Sequence, residues 1–80
     1  MSKVLVIDDD RDYGDMLVRH LKHLGHEVMH SLSLAEGRKA ATALLPDAVY
    51  LDVGLPDGCG LSTIAELKAV ASQPEVVIIT

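Results

Sequence analysis

Aspartates follow two of the apolar segments in this sequence, and their placement suits metal-dependent phosphoryl chemistry. Asp8 and Asp9 come directly after the apolar run Val4–Ile7, and Asp52 comes directly after a second run, Ala48–Leu51. Carboxylates that are brought together repel one another and raise each other's pKa unless a cation neutralises them. Oxygen ligands in an open cleft suit Mg²⁺, which keeps several waters and takes one or two carboxylates. A carboxylate is also a competent nucleophile toward phosphorus.

The segments that must position these aspartates alternate between strand and helix patterns. Short apolar runs predict strands at Val4–Ile7, Glu27–His30, Ala48–Leu51 and Val76–Ile79. Segments with helical periodicity separate them. The order β-α-β-α-β-α-β predicts an α/β fold with a parallel sheet, helices on both faces and right-handed crossovers.

Local signals fix the ends of the three predicted helices. Asp10 or Asp12 caps the first helix, and Gly25 suits a left-handed C-terminal cap. Ser33 and Glu36 form a capping box for the second helix, which runs to about residue 45, before a proline. The first helix is predicted to bury one face, and apolar residues at helical spacing indicate a third helix that a proline closes at residue 74. The residues on these two apolar faces are Tyr13, Met16, Leu17, Leu21 and Leu24, and Leu61, Ile64, Leu67, Val70 and Ala71.

The carboxyl ends of the strands are the expected place for function. In sheets of this kind, ligands bind in the crevice beyond those ends. Asp8, Asp9, Asp52 and Thr80 all lie there. The Thr80 hydroxyl can donate a hydrogen bond to a phosphoryl oxygen, so both the chemistry and the topology point to one crevice.

Composition excludes several classes of partner. The net charge is −5, from seven Lys and Arg against twelve Asp and Glu, with histidines neutral. Nonspecific nucleic-acid binding needs cationic residues that displace counterions, so no nucleic acid is expected to bind these residues. The apolar runs are far too short to span a bilayer, so no membrane contact is expected. The single cysteine, Cys59, has no partner within the chain, which favours a reduced, cytoplasmic setting.

Three motifs, in this order, resemble the response-regulator receiver domain of bacterial two-component signalling. They are Val4–Asp10 (VLVIDDD), Asp47–Gly58 (DAVYLDVGLPDG) and Val76–Thr80 (VVIIT), and the resemblance runs from Lys3 to the end of the sequence. It implies a flavodoxin-like fold and transfer of a phosphoryl group from the phosphohistidine of a sensor kinase. Such a domain performs its own aspartyl phosphorylation and dephosphorylation but acts through partners, and is not otherwise an enzyme.

The resemblance also implies roles for individual residues. Asp52 matches the phosphoacceptor, and Asp9 matches the acidic residue that ligates Mg²⁺ directly. Asp8 matches its neighbour, which usually acts through metal-bound water. Gly54 matches the position whose backbone carbonyl completes the metal shell. Thr80 matches the switch hydroxyl that moves toward the phosphoryl group.

The sequence departs from the family pattern at two places. Cys59 stands where many members carry a polar or acidic residue. A complete receiver also continues beyond the position of Thr80 with a helix, a strand that bears an invariant lysine, and a last helix. We therefore expect residues 1–80 to form one receiver domain, incomplete at its C-terminus and without the catalytic lysine. The fourth strand then becomes an apolar sheet edge, which predicts self-association. The Leu55–Gly58 segment resembles receivers fused to transcriptional output domains.

Two other functions are left open by the residues. Val4–Asp10 and the strand that ends at Thr80 also resemble motifs of haloacid-dehalogenase-type phosphohydrolases, which use an aspartate nucleophile. The pattern of that family has Thr or Val at the position of Asp12, and it does not account for Asp52. The other alternative is an interaction module that no longer accepts phosphate. The histidines fit no zinc pattern and are predicted to lie at the surface; they are His20, His23, His26 and His30.

Overall fold

Strands and helices alternate along the chain in the computed structural model, which describes residues 2–52, 54–55 and 60–79. The strands are β1 (Lys3–Ile7), β2 (Glu27–Ser31), β3 (Ala48–Leu51) and β4 (Glu75–Ile78). The helices are α1 (Arg11–His23), α2 (Leu34–Leu44) and α3 (Gly60–Lys68). This arrangement confirms the predicted order of elements.

The four strands form one parallel sheet in the spatial order β2-β1-β3-β4. β1 is central, and its Val4 pairs with Val28 on one side and with Ala48 on the other. Parallel neighbours need a crossover connection, which the helices supply. The predicted parallel α/β sheet is therefore confirmed.

Strand β1 is buried on both faces of the sheet. On one face, Leu5 lies in an apolar cluster with Leu34 of α2 and Leu67 of α3. On the opposite face, Val6 packs with Leu21 of α1. Full burial of an aliphatic side chain stabilises a fold by about 1.5–3 kcal/mol. The strand that leads into the first aspartates is therefore among the most firmly held parts of the described chain.

Helix α1 begins and ends where the sequence predicts. The Oδ1 atom of Asp10 accepts a hydrogen bond from the Tyr13 amide at 3.1 Å, so Asp10 rather than Asp12 is the N-cap. After the helix, Gly25 has a φ of 94°, a left-handed conformation that glycine adopts without strain.

The predicted buried face of α1 is wrong in part. Tyr13, Met16 and Leu24 are 38, 56 and 58% exposed. The helix instead packs through a stripe that starts at the buried Gly14 and continues through its neighbours at helical spacing, ending with Leu21. Because α1 packs mainly on β1 and β2, it buries a narrower stripe than its apolar residues would cover.

Helix α2 carries the predicted cap and a tight contact with the sheet. Ser33 Oγ accepts from the Glu36 amide at 3.2 Å, and the Glu36 carboxylate accepts from the Leu32 amide at 3.2 Å. The sequence suggests that Gly37 only weakens the helix, but a Cβ at this position would overlap the Ile7 side chain. Glycine thus lets α2 lie close against β1.

Two predictions near the end of the chain need correction. Helix α3 ends at Lys68, so Ala71 lies beyond it and is exposed. The apolar run of β4 predicts a buried strand, but Val77 and Ile78 are 41 and 44% exposed. The reason is that β4 pairs only with β3 and forms an edge of the described sheet.

Candidate functional site

The carboxyl ends of β1 and β3 bring the predicted aspartates together. Asp8 follows β1, Asp52 follows β3, and the two strands pair with Ile7 opposite Leu51. The Asp52 amide donates a hydrogen bond to the Ile7 carbonyl at 2.9 Å, which extends the pairing beyond the strand itself. The two aspartates therefore leave the sheet side by side.

Three aspartate side chains form one cluster at this edge. One carboxylate oxygen each from Asp8, Asp9 and Asp52 lies within 4.8 Å of the other two. Asp8 is buried, Asp52 is half-buried and Asp9 is exposed, so the cluster faces solvent on one side. Mg²⁺ binds oxygen ligands at about 2.0–2.1 Å and keeps several waters in its shell, so one ion at this cluster would contact some of these carboxylates directly and others through water. The donor set, carboxylate oxygens alone, fits a hard divalent cation.

Burial raises the pKa of the Asp8 carboxyl above its ordinary value of 3.8. The hydrogen bond from the Asp10 backbone opposes this rise, while the negative charge of Asp52 and a hydrogen bond with its side chain reinforce it. Among the described residues, the ion pairs are Asp15–His30 and Arg38–Glu66, and neither includes a member of the cluster. The crowded carboxylates are therefore a site where a bound cation would relieve repulsion.

Backbone amides hold two of the three carboxylates in place. Asp8 Oδ1 accepts from the Asp10 amide at 2.9 Å, and Asp52 Oδ1 accepts from the Gly54 amide at 2.8 Å. A carboxylate has two oxygens, so these amides leave one oxygen of each carboxylate unoccupied by the backbone. Gly54 is thus next to the site, and the metal-binding role of its carbonyl stays a prediction.

An open cleft of about 430 Å³ lies over the cluster. Its walls include Tyr13 and Ile79, which were not predicted to lie there. Tyr13 was expected in the core, but it lies in the first turn of α1, directly after the aspartate loop. That position next to the Asp10 cap is the signal that could have identified it.

The predicted switch residue Thr80 lies outside the described residues, as do Val53 and the segment 56–59. The preceding residue, Ile79, lines the cleft and donates its amide to the Leu51 carbonyl at 3.0 Å. The switch role of Thr80 therefore stays a prediction, and β4 does lead toward the aspartate cluster.

The histidines do not all lie at the surface as predicted. His20 and His23 are exposed and His26 is half-buried. The His30 side chain is only 13% exposed, and its Nε2 atom lies 2.9 Å from the Asp8 carbonyl oxygen. The sequence positions do not reveal this contact, because His30 lies on β2 whereas Asp8 follows β1.

Residues 4–80 match the family model for the response regulator receiver domain. The chain belongs to this family. As a two-component receiver domain it has the CheY-like, flavodoxin-like fold, and the family match favours this assignment over a haloacid-dehalogenase-type phosphohydrolase. None of the helices in the described part of the receiver is long and apolar enough to cross a membrane.

The receiver is similar to transcriptional regulators from several bacteria. It is 36% identical to the transcriptional regulatory protein PrrA of Mycobacterium tuberculosis over 78 residues, which are 98% of this chain and 34% of PrrA. It is 32% identical to the KDP operon transcriptional regulatory protein KdpE of Escherichia coli, again over 98% of this chain and 35% of KdpE. The chain spans about a third of the length of these relatives.

Solved receiver structures share its fold. The N-terminal domain of a response regulator receiver protein from Methanoculleus marisnigri superposes with a TM-score of 0.88 at 27% identity, covering 100% of this chain and 67% of that one. A response regulator from Burkholderia pseudomallei gives a TM-score of 0.89 at 28% identity, covering 98% and 46%. The latter structure contains a phosphorylated aspartic acid, a calcium ion and citrate.

Proposed function

We propose that this receiver accepts a phosphoryl group on Asp52 from the phosphohistidine of a sensor histidine kinase, with Mg²⁺ bound beside it. The observation that carries the proposal is the cluster of carboxylate oxygens from Asp8, Asp9 and Asp52 within 4.8 Å at adjacent strand ends. Membership of the receiver family supports the same role. The phosphorylated aspartic acid and the calcium ion in the related regulator from Burkholderia pseudomallei add further support.

The chemistry assigned to Asp52 is nucleophilic attack on phosphorus. A carboxylate oxygen of Asp52 forms the new O–P bond while the P–N bond of the phosphohistidine breaks, and its electron pair leaves with the imidazole nitrogen. The Gly54 amide, 2.8 Å from Asp52 Oδ1, orients the carboxylate for this attack. When bound, Mg²⁺ offsets the charge on the transferring phosphoryl oxygens.

The remaining site residues hold the ion and respond to the product. We assign Asp9 to direct ligation, Asp8 to contact through metal-bound water, and the Gly54 carbonyl to completing the shell. Thr80 is assigned to the switch, as the hydroxyl that donates to a phosphoryl oxygen of Asp52. The clustered carboxylates of Asp8, Asp9 and Asp52 support a shared ion, and the separate roles rest on the resemblance to the receiver family.

The partners follow from the length and kind of the relatives. Both PrrA and KdpE are transcriptional regulators about three times as long as this chain. We infer that residues 1–80 belong to one receiver domain that works with an output domain in the cytoplasm. In this role the phosphorylated state changes partner interactions, and the chain does not turn over a separate substrate.

Intact mass spectrometry tests the proposal directly. The chain is incubated with Mg²⁺ and acetyl phosphate, beside Asp52→Asn and the matched variant Asp47→Asn, which changes an aspartate at the opposite end of β3. We expect a single phosphoryl adduct on the unchanged chain and on Asp47→Asn, and none on Asp52→Asn. Absence of an adduct on the unchanged chain, with either acetyl phosphate or a phosphorylated kinase as the donor, contradicts the proposal for these 80 residues.

We also propose that the 80-residue chain self-associates through β4. The exposed fractions of Val77 and Ile78, 41 and 44%, leave apolar surface on a strand whose outer edge is unpaired in the described sheet. Such edges pair readily with another chain, and an inserted lysine prevents this. Sedimentation at roughly 50 µM, within the range where edge pairing leads to association, should give a dimer that Val77→Lys disrupts. Met29→Lys, on the opposite edge strand, is the matched control and should stay dimeric, whereas a monomeric mass for the unchanged chain contradicts the proposal.

A further inference from the structure

The side chain of His30 joins β2 to the loop that carries the first aspartates. Its Nε2 atom lies 2.9 Å from the backbone carbonyl oxygen of Asp8. A carbonyl oxygen can only accept a hydrogen bond, so Nε2 must carry the proton and donate it. The His30 side chain is 13% exposed, which protects this hydrogen bond from competition with water.

The imidazole fits this position because α1 has a glycine opposite it. A Cβ built at Gly14 would overlap the His30 ring, with the nearest approaches at its Cε1 and Nε2 atoms. No side chain at position 14 can therefore coexist with the observed ring position. Gly14 and His30 thus form a matched pair, in which the missing side chain of one makes room for the ring of the other.

This hydrogen bond fixes the peptide group that links Asp8 to Asp9. The Asp8 carbonyl and the Asp9 amide share one planar unit, so holding the oxygen also sets the direction in which Asp9 leaves. The Asp8 amide is held from the same strand, because it donates to the Ser31 carbonyl at 3.0 Å. Two neighbouring residues of β2 therefore hold Asp8 at both its amide and its carbonyl.

We propose that His30 is a positioning residue that holds the Asp8–Asp10 loop in the geometry that binds the cation. This inference rests on the proposed Mg²⁺ site. It assigns no contact between His30 and the ion, and the effect passes entirely through the Asp8 carbonyl. The carboxylate of Asp15, 3.9 Å from His30 Nδ1 and itself 68% exposed, is too distant for a hydrogen bond and has no part in the proposal.

Four variants separate the hydrogen bond from the other effects of substitution. His30→Leu removes the donor, and His30→Gln restores an N–H at a similar reach. Gly14→Ala displaces the imidazole without altering it, and alanine favours the helix more than glycine does. Asp15→Asn is the control that changes the environment of Nδ1 and leaves Nε2 untouched.

The first readout is Mg²⁺ affinity, measured from amide chemical-shift changes at neutral pH. We expect the dissociation constant to rise about three- to tenfold in His30→Leu and Gly14→Ala, in line with the loss of one hydrogen bond. His30→Gln should recover most of the affinity, and Asp15→Asn should match the unchanged chain. Equal affinity in all five proteins overturns the inference while the proposed function stands.

The second readout needs no metal. In Mg²⁺-free buffer, amide hydrogen exchange in the Asp8–Asp10 loop should be faster in His30→Leu and Gly14→Ala than in His30→Gln. If the variants are folded, the amides of Leu5 and Val49, in the core, should exchange as slowly as they do in the unchanged chain. Uniform acceleration at all of these positions would indicate general destabilisation and overturn the positioning role. Absence of Mg²⁺ binding by the unchanged chain would overturn the proposed metal site and this inference together.

Discussion

Aspartates have contrasting surroundings at the two ends of the sheet. At the carboxyl end, Asp8 and Asp52 face one another and share their surroundings with Asp9. At the amino end, Asp47 precedes β3, and its Oδ2 atom accepts from the Lys3 amide at 2.9 Å. The backbone of Asp47 pairs there as well, donating to the Lys3 carbonyl at 2.7 Å.

The difference shows what distinguishes a structural aspartate from one in a functional site. The Asp47 carboxylate accepts from the Lys3 backbone amide, and this hydrogen bond fastens β1 to β3. Asp8 gains one amide hydrogen bond, but it also gains burial and negative neighbours that raise its pKa. An aspartate therefore links two strands at one end of the sheet, whereas the carboxylates at the other end repel one another.

The largest expected effect is stabilisation of the aspartate cluster by its cation. At a Mg²⁺ concentration about 100 times the dissociation constant, the free energy of unfolding should rise by about 2.7 kcal/mol. Asp9→Asn should remove most of this gain, because Asp9 is the proposed direct ligand of the ion. Asp9 is exposed, so its substitution leaves the core intact. Urea unfolding with and without Mg²⁺, at matched ionic strength, measures the effect.

Asp47→Asn serves as the control for that experiment, since it should keep the full response to Mg²⁺. An equal loss in both variants would mean that Mg²⁺ acts on overall charge and not on the cluster at the carboxyl end.

The next effect is a gain in stability from Asp8→Asn in Mg²⁺-free buffer. The folded-state pKa of Asp8 is raised above its ordinary value of 3.8. Between pH 3.8 and the folded-state pKa, the folded state therefore binds more protons than the unfolded state. Stability of the unchanged chain relative to Asp8→Asn therefore falls as pH rises from 3.8 through the folded-state pKa, and then levels off. Above that window, Asp8→Asn should melt a few degrees higher.

Thermal unfolding of both chains between pH 3 and 7.5, the range in which carboxylates titrate, checks this sign. Saturating Mg²⁺ should reverse the order, because only the unchanged chain then has a full set of carboxylates. A difference that does not vary with pH would contradict the electrostatic explanation.

The smallest expected effect lies at the amino end. Asp47→Ala removes the acceptor of the Lys3 amide, and should lower the free energy of unfolding by about 0.5 kcal/mol, since the hydrogen bond is exposed to water. Mg²⁺ affinity should not change. Chemical unfolding and a Mg²⁺ titration of this variant together test whether the two ends are independent.

Much of the site follows from the sequence because parallel strands impose it. Because Asp8 and Asp52 each follow an apolar run, both carboxylates lie at the carboxyl end of the sheet, however the helices pack. The caps at Asp10 and Ser33 are equally local, since each depends on a few consecutive residues. Signals of this kind can be read directly from the chain.

The errors concern packing between elements that are distant in sequence. Helical periodicity identified the apolar residues of α1, but the contact depends on which side chains β1 and β2 present. Tyr13 and Met16 are therefore exposed against expectation. The contact of His30 with Asp8 was missed for the same reason, because it depends on the space above Gly14.

The pairing of Ile7 with Leu51 sets the distance between Asp8 and Asp52. If β3 slipped by one residue along β1, Asp52 would move by about 3.3 Å and its side chain would turn to the other face of the sheet. The separation of the aspartates is thus set in discrete steps and cannot drift gradually as the sequence varies. The exposed surfaces of α1 and α2 are free to change, provided that buried side chains keep this one pair of residues opposite each other.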